Sequence, residues 1–178
     1  PSDVVDVDSE KNIYLCHENS IEQDGYVIFL NRAIEPAMQF INKDMLGLDY
    51  GAGYAKTLSE LLKLKGYKCE DFDLYFIEHS LDKKFDYVFS TETFEHFYHP
   101  NKELTKIQEI LRKNGYLIVM TERWKSLERF NDWYYTRDPS HIAFYHSKTF
   151  DYICKKFGFT KVFDDNHRVI ILQKNNKL

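Results

Sequence analysis

Hydrophobic positions along the chain follow two patterns, continuous apolar runs and runs spaced three and four residues apart. Short continuous runs indicate strands covered on both faces, and spacing by three and four indicates amphipathic helices. In residues 54–65, for example, Leu58, Leu61 and Leu62 share one helical face. The predicted elements are helix 26–42, strand 46–50, helix 54–65, strand 67–72, strand 85–91, helix 101–112, strand 116–121, helix 148–157 and strands 159–163 and 168–173.

Capping and turn residues support several of these boundaries. Gly66 and Gly158 each follow a predicted helix, where a left-handed terminal residue favours glycine. Ser147 is the expected N-cap of helix 148–157. Pro36 is expected to kink the first helix or to begin a second segment, because it has no backbone N–H to donate.

The order of the elements predicts the fold class. Strands alternating with helices, followed by two strands joined at 164–167, indicate an α/β domain. We expect a doubly wound, mostly parallel, seven-stranded-type sheet with a closing antiparallel hairpin. Residues 77–84 are brief and polar, so the third-strand region is expected to be abbreviated. Ligands of such sheets bind beyond the carboxyl ends of the strands.

Residues 46–73 predict a nucleoside site. Gly51 and Gly53 permit a sharp turn between strand and helix and let a ligand approach the backbone closely. Roughly 20 residues later, at the end of the next strand, Asp73 can accept hydrogen bonds from ribose hydroxyls. Glu70 and Asp71 are rivals for this role in the same strand.

Composition and charge narrow the class of protein. The 178 residues suffice for one domain, and the net charge of −4 argues weakly against a nucleic-acid partner. No run of about 20 apolar residues could span a membrane. The three cysteines, Cys16, Cys69 and Cys154, are widely spaced and odd in number. This favours reduced thiols and a cytoplasmic location over disulfides or a metal site.

Four ordered motifs resemble those of class I S-adenosylmethionine-dependent methyltransferases. Residues 49–53, Asp-Tyr-Gly-Ala-Gly, resemble the glycine-rich first motif, and Phe72-Asp73 resembles the ribose-binding acid. Residues 85–97 resemble the fourth-strand motif with its Glu-His pair, and residues 111–117 the approach to the fifth strand. The flanks are similar to a small bacterial subgroup in which an EH motif follows the fourth strand.

The chain departs from the family's motifs, and a nicotinamide dinucleotide is the alternative cofactor. The first motif lacks its third glycine, and the third-strand region is too short for the usual adenine-binding acid, so that contact stays unassigned. A nicotinamide dinucleotide is disfavoured, because Lys56 replaces the third glycine of its fingerprint and Asp49 would repel a pyrophosphate. The motifs therefore favour the methyl donor.

The resemblance implies S-adenosylmethionine as cofactor, S-adenosylhomocysteine as product and no metal. For an oxygen acceptor, His141 is the first choice of base because its unperturbed pKa lies near neutrality, with Tyr145, His96 or His17 as alternatives. Glu95 and His96 fit a structural role equally well. The expected cofactor-binding residues are His17, Tyr26, Asp49, Gly51, Gly53, Phe72, Asp73, Leu74, Thr91 and Glu92.

One methyltransferase-like domain is expected over residues 1–178. It comprises an N-terminal helical cap (1–43), a donor-binding core (44–122), a substrate lid (123–146) and a C-terminal helix and hairpin (147–178). The expected reaction is methyl transfer to a small molecule or biosynthetic intermediate. The alternatives are a non-catalytic methyltransferase-like binding module and an RNA or protein methyltransferase; the sequence leaves the oligomeric state open.

Overall fold

A computed structural model describes residues 20–77 and 80–175, which form one six-stranded sheet flanked by helices. The helices are α1 (Asp24–Ala37), α2 (Thr57–Leu64), α3 (Pro100–Ile110), α4 (Leu127–Phe130) and α5 (Ser147–Phe157), with 3₁₀ turns at Phe94–His96 and Tyr134–Arg137. The strands are β1 (Leu46–Tyr50), β2 (Lys68–Phe72), β3 (Phe85–Thr91), β4 (Leu111–Met120), β5 (Phe159–Asp164) and β6 (Val169–Lys174).

The sheet is mostly parallel and closes with an antiparallel hairpin. Its order is β2-β1-β3-β4-β6-β5, and the strands from β2 to β4 pair in parallel. β6 pairs antiparallel with both β4 and β5. The strand order reverses between β1 and β3, which makes the carboxyl ends of these two strands the expected position of a ligand site.

Helices cover both faces of the sheet. Apolar residues of α1 and α2 pack on one face with Phe89 and Ile118, and those of α3 and α5 pack on the other with Val88 and Leu117. Successive strand residues thus bury their side chains in opposite layers, as a sheet covered on both faces requires. The α/β class, the parallel core and the closing hairpin predicted from the sequence are confirmed.

The sheet has six strands, and the segment after β2 is short as expected. Between Phe72 and Phe85 the described residues form only an isolated bridge, from Asp73 to Ile77. No helix among the described residues is both long and apolar enough to cross a bilayer.

Several predicted boundaries differ from the structure. α1 ends at Ala37, five residues early, and Pro36 lies inside its last turn. α2 begins at Thr57 instead of 54, because Lys56 adopts a left-handed conformation (φ 55°). β4 begins at Leu111 instead of 116, because Leu111 already pairs with Phe85 ahead of an irregularity in the ladder.

The N-cap of α5 also differs from the prediction. It is His146 rather than Ser147. The imidazole Nδ1 of His146 accepts a hydrogen bond from Lys148 N at 3.1 Å, and His146 N donates to Thr149 Oγ1 at 3.2 Å. Histidine thus makes the reciprocal pair of hydrogen bonds that serine or threonine usually makes at a helix start.

Candidate active site

A cavity of about 880 Å³ lies beyond the carboxyl ends of β1 and β3. Most of the lining of this central cavity comes from three segments: the glycine turn with residues 72–76, residues 91–99, and residues 134–141. Its volume is within the range of roughly 300–1,000 Å³ that is usual for small-molecule sites. The sheet's switch point, where the sequence places the nucleoside motif, therefore opens into a space that a ligand can fill.

The glycine turn is shaped by close backbone packing. Gly51 has a φ of 93°, and a Cβ at this position would lie 2.4 Å from Thr93 Oγ1. Gly51 N and Ala52 N donate to Phe72 O at 2.8 and 3.1 Å, which ties the turn to the end of β2. Gly53 has a φ of 62° and open space where its side chain would be. Contact with Thr93 thus excludes a side chain at position 51, whereas the space beside Gly53 is open.

Asp73 joins the glycine turn to the loop that follows β2. Its Oδ2 accepts a hydrogen bond from Gly53 N at 2.9 Å, and its Oδ1 accepts from Tyr75 N at 2.8 Å and Phe76 N at 3.2 Å. A carboxylate offers about four acceptor positions. One therefore remains for a hydroxyl in the cavity.

A small recess beside the turn holds a buried acid. Asp49 is 2% exposed, and its Oδ1 has no hydrogen-bond partner among the described residues. Burial, with smaller contributions from Asp71 and Asp73, raises the pKa of Asp49 well above its usual value. The recess shares Tyr26, Gly51 and Thr91, among others, with the central cavity. A cationic group entering from the cavity would satisfy this acid.

The opposite side of the cavity is an ionic network centred on Arg168. The guanidinium Nη1 donates to both carboxylate oxygens of Glu92, at 3.1 and 3.0 Å. Its Nη2 donates to Glu122 and, at 2.6 Å, to Tyr134 Oη. Trp133 Nε1 donates to the second oxygen of Glu122 at 2.9 Å. The network joins both carboxylates to the residues that follow β4.

Glu95 lies beneath this network and is fully buried. It accepts a hydrogen bond from Tyr135 Oη at one carboxylate oxygen, and its Oε2 has no partner among the described residues. Burial, followed by the nearby Glu92, raises the pKa of Glu95 from 4.5 to about 8. A substantial fraction of this carboxyl is therefore protonated at neutral pH.

Two histidines stand side by side next to Glu95. His141 Nδ1 lies 2.7 Å from Tyr135 O, and His96 Nδ1 lies 3.0 Å from Ser140 O. Because a carbonyl oxygen can only accept, each Nδ1 carries the proton, and the lone pair of each neutral ring is on Nε2. The two ring centroids are 4.9 Å apart.

Most of the site residues expected from the sequence lie together. Those that line the central cavity are Tyr26, Gly51, Gly53, Phe72, Asp73, Leu74, Thr91, Glu92 and His141, and Asp49 lines the recess. His17 lies outside the described residues. The structure places Tyr145 in the core instead: it is 4% exposed, and its hydroxyl donates to Phe94 O at 3.0 Å.

Sequence reasoning missed the network around Arg168. Its partners Glu92 and Glu122 are 76 and 46 positions away in the chain. The sequence contains one signal for this network. Arg168 directly precedes the apolar run of β6, and the acids Glu92 and Glu122 follow the apolar runs of β3 and β4. Charges at the same edge of neighbouring buried strands can be expected to pair.

A family model described as a methyltransferase domain matches residues 24–162. The chain belongs to this methyltransferase family. The match confirms the predicted enzyme class, a methyltransferase dependent on S-adenosylmethionine, and with it the predicted cofactor. No curated protein matches the chain significantly in sequence.

Solved structures share the fold at low sequence identity. One is magnesium protoporphyrin IX methyltransferase from Synechocystis PCC 6803 with bound S-adenosylhomocysteine (TM-score 0.63, 13% identity, 94% of each chain covered). Another is the Burkholderia thailandensis 1,6-didemethyltoxoflavin-N1-methyltransferase (TM-score 0.65, 13% identity, 83% of this chain and 78% of that chain). A third is a methyltransferase from Archaeoglobus fulgidus (TM-score 0.60, 17% identity, 83% and 93%).

Proposed function

We propose that the chain transfers a methyl group from S-adenosylmethionine to a small-molecule acceptor bound in the central cavity. The observation that carries this proposal is the continuity of the cavity. It extends from the glycine turn and Asp73 on one side to Tyr135 and His141 on the other. Donor and acceptor can therefore lie in contact within one space.

The donor is proposed to bind on the side of the glycine turn. Asp73 would accept a hydrogen bond from a ribose hydroxyl at its remaining acceptor position, and the open space at Gly53 would admit the ligand close to the backbone. The buried Asp49 supports placing the donor's ammonium in the recess, because an unpaired buried carboxylate is stabilised by an opposite charge. No contact with adenine is proposed.

The acceptor is proposed to lie against residues 134–141, within the segment expected to form the substrate lid. The sulfonium methyl group is already electrophilic, so this chain's main task is to align the two reactants and exclude water. The predicted base His141 lines this side and carries its lone pair on Nε2. It could accept a proton from an acceptor hydroxyl.

The charge of the cavity supports a small acceptor without phosphate groups. The acidic lining residues are Asp73, Glu92, Glu103 and Asp138, and the guanidinium of Arg168 is already paired with two carboxylates. A nucleic acid would need unpaired basic groups at the site. The cysteines Cys69 and Cys154 are free thiols, which supports the proposed cytoplasmic location.

Calorimetric titration with S-adenosylhomocysteine tests the donor site. The wild type should bind the ligand, and Asp73→Ala should bind it about 10- to 150-fold more weakly, the usual loss of a hydrogen bond to a charged group. Asp44→Ala is the matched control, because Asp44 is an exposed carboxylate that does not line the cavity.

Two results would overturn the proposal. Absence of heat with both S-adenosylhomocysteine and S-adenosylmethionine would favour a non-catalytic module. Donor binding together with methylation of RNA or protein, but of no small molecule in a panel of amines, phenols and carboxylic acids, would overturn the acceptor class.

A further inference from the structure

We propose that Glu95, His96 and His141 form a binding site for a first-row divalent cation of the Zn²⁺ type on the wall of the central cavity. One ligand atom from each residue lies within 4.8 Å of the other two. His96 and His141 line the cavity, so an ion bound there would be accessible to a small molecule.

Hydrogen bonds to backbone carbonyls favour metal binding by both imidazoles. A metal-bound histidine almost always donates its other ring N–H to a carbonyl, a carboxylate or water, which fixes the tautomer and the ring orientation. His141 Nδ1 donates to Tyr135 O at 2.7 Å, and His96 Nδ1 donates to Ser140 O at 3.0 Å. Both rings are therefore held in the tautomer whose Nε2 can bind a metal.

The carboxylate supplies the second, independent observation. Glu95 is fully buried, one of its oxygens accepts a hydrogen bond from Tyr135, and Oε2 has no partner among the described residues. A buried carboxylate without a positive partner is unfavourable. A cation bound between Glu95 and the two imidazoles would compensate this charge.

The backbone holds the three ligands together. Glu95 and His96 belong to the 3₁₀ turn after β3, and His141 belongs to a distant segment. Ile142 N and Ala143 N each donate to Glu95 O at 2.9 Å, which fastens the second segment to the first. Glu92 is not included, because both of its oxygens are bound by Arg168.

The ligand set indicates the type of metal. Two imidazoles and one carboxylate suit zinc and neighbouring first-row ions, whereas magnesium and calcium prefer oxygen ligands. Zinc lies at about 2.0–2.2 Å from such ligands, so the three atoms would have to approach each other to about 3.3 Å by small side-chain rotations. Three protein ligands leave a coordination position open, as in catalytic sites.

The role of the ion, unlike its binding, rests on the proposed function. An acceptor oxygen in the open position would be polarised and would lose its proton more easily. His141 would then act as a metal ligand rather than as the base, and the acceptor proton would pass to a solvent water. The deprotonated oxygen would attack the methyl carbon as the carbon–sulfur bond breaks, which leaves S-adenosylhomocysteine.

Cobalt(II) provides a spectroscopic test that needs neither donor nor acceptor. Untagged, chelator-treated protein should develop visible absorption bands with one equivalent of Co²⁺, and Zn²⁺ should abolish them. His141→Ala and Glu95→Gln should each weaken Co²⁺ binding at least about tenfold, since even loss of an outer-shell partner costs 10- to 100-fold. His99→Ala removes a cavity-lining histidine outside the cluster and should leave binding unchanged.

Two results would overturn the metal site: no absorption bands and no calorimetric heat with Co²⁺ or Zn²⁺ in the wild type, or unchanged affinity in His141→Ala. Circular dichroism establishes folding of each variant, and His96→Ala replaces Glu95→Gln if the buried substitution prevents folding. S-adenosylhomocysteine titrated into the chelated protein keeps the two proposals distinguishable, because it reports the donor site alone.

Discussion

The two sides of the central cavity are built in opposite ways. The proposed donor side, residues 49–53 and 72–76, is formed by backbone turns around Asp73 from two nearby stretches of chain. The side on which the acceptor is proposed to lie holds a network of side chains, the Arg168 network, which comprises Glu92, Glu122, Tyr134 and Arg168 from four separate segments. Backbone geometry determines the first side, and long-range ion pairs determine the second.

The two sides also differ in how their charges are balanced. On the donor side Asp49 is buried and one of its oxygens has no partner among the described residues. In the network both Glu92 and Glu122 are paired with Arg168. The unpartnered oxygen of Asp49 supports the proposed position of the donor's ammonium group on this side. The two carboxylates of the network are already paired, and beneath them Glu95 Oε2 has no partner among the described residues.

The largest expected effect is on stability, from Arg168→Met. The guanidinium side chain is 9% exposed, and its removal leaves the Glu122 carboxylate, 11% exposed, without its cation. Breaking a buried pair in this way costs about 3–5 kcal/mol. Chemical denaturation measures the loss. Arg112→Met is the control, because the Arg112–Asp86 pair is half exposed on the arginine side and such pairs contribute about 0–1 kcal/mol. Equal losses of free energy of unfolding in Arg168→Met and Arg112→Met would show that the buried network contributes no more to stability than an exposed ion pair.

A pair of glycine substitutions examines the donor side. Gly51→Ala places a methyl group 2.4 Å from Thr93 at a φ of 93°, so we expect a loss of stability of about 2–3 kcal/mol. Gly53→Ala meets no atom within 4 Å and should cost only about 1–2 kcal/mol, yet weaken S-adenosylhomocysteine binding by filling ligand space. Thermal unfolding and calorimetry separate the two effects. A Gly53→Ala variant with wild-type affinity would show that the ligand does not approach this turn.

A pH dependence provides the third comparison. The pKa of Glu95 is raised from 4.5 to about 8 in the folded protein, so the folded state binds more protons than the unfolded state between these values. Stability from this group is present below about pH 4.5 and is lost as the pH rises through 8. As the pH rises through this window, the free energy of unfolding should therefore decline less steeply for Glu95→Gln than for the wild type. Urea titration in the presence of a metal chelator measures it. An unchanged slope would mean that Glu95 is ionised throughout.

The parts of the molecule that could be predicted are those specified by neighbouring residues. The apolar runs predict β1 and β3, and the glycine turn and Asp73 lie together as expected, because turns and strand ends are local in sequence. Tyr145 is an alternative base from the sequence, but its hydroxyl donates to Phe94 O within the core. The pairing of Arg168 with Glu92 depends on which strands become neighbours, which the sequence pattern does not specify.

The central claim is that donor and acceptor meet between these two sides. A crystal structure with bound S-adenosylhomocysteine tests it most directly. We expect a ribose hydroxyl at about 2.6–3.2 Å from Asp73, the amino-acid ammonium in the Asp49 recess and the sulfur directed toward His141. A ligand bound elsewhere, or bound with its sulfur directed away from residues 134–141, would contradict the claim.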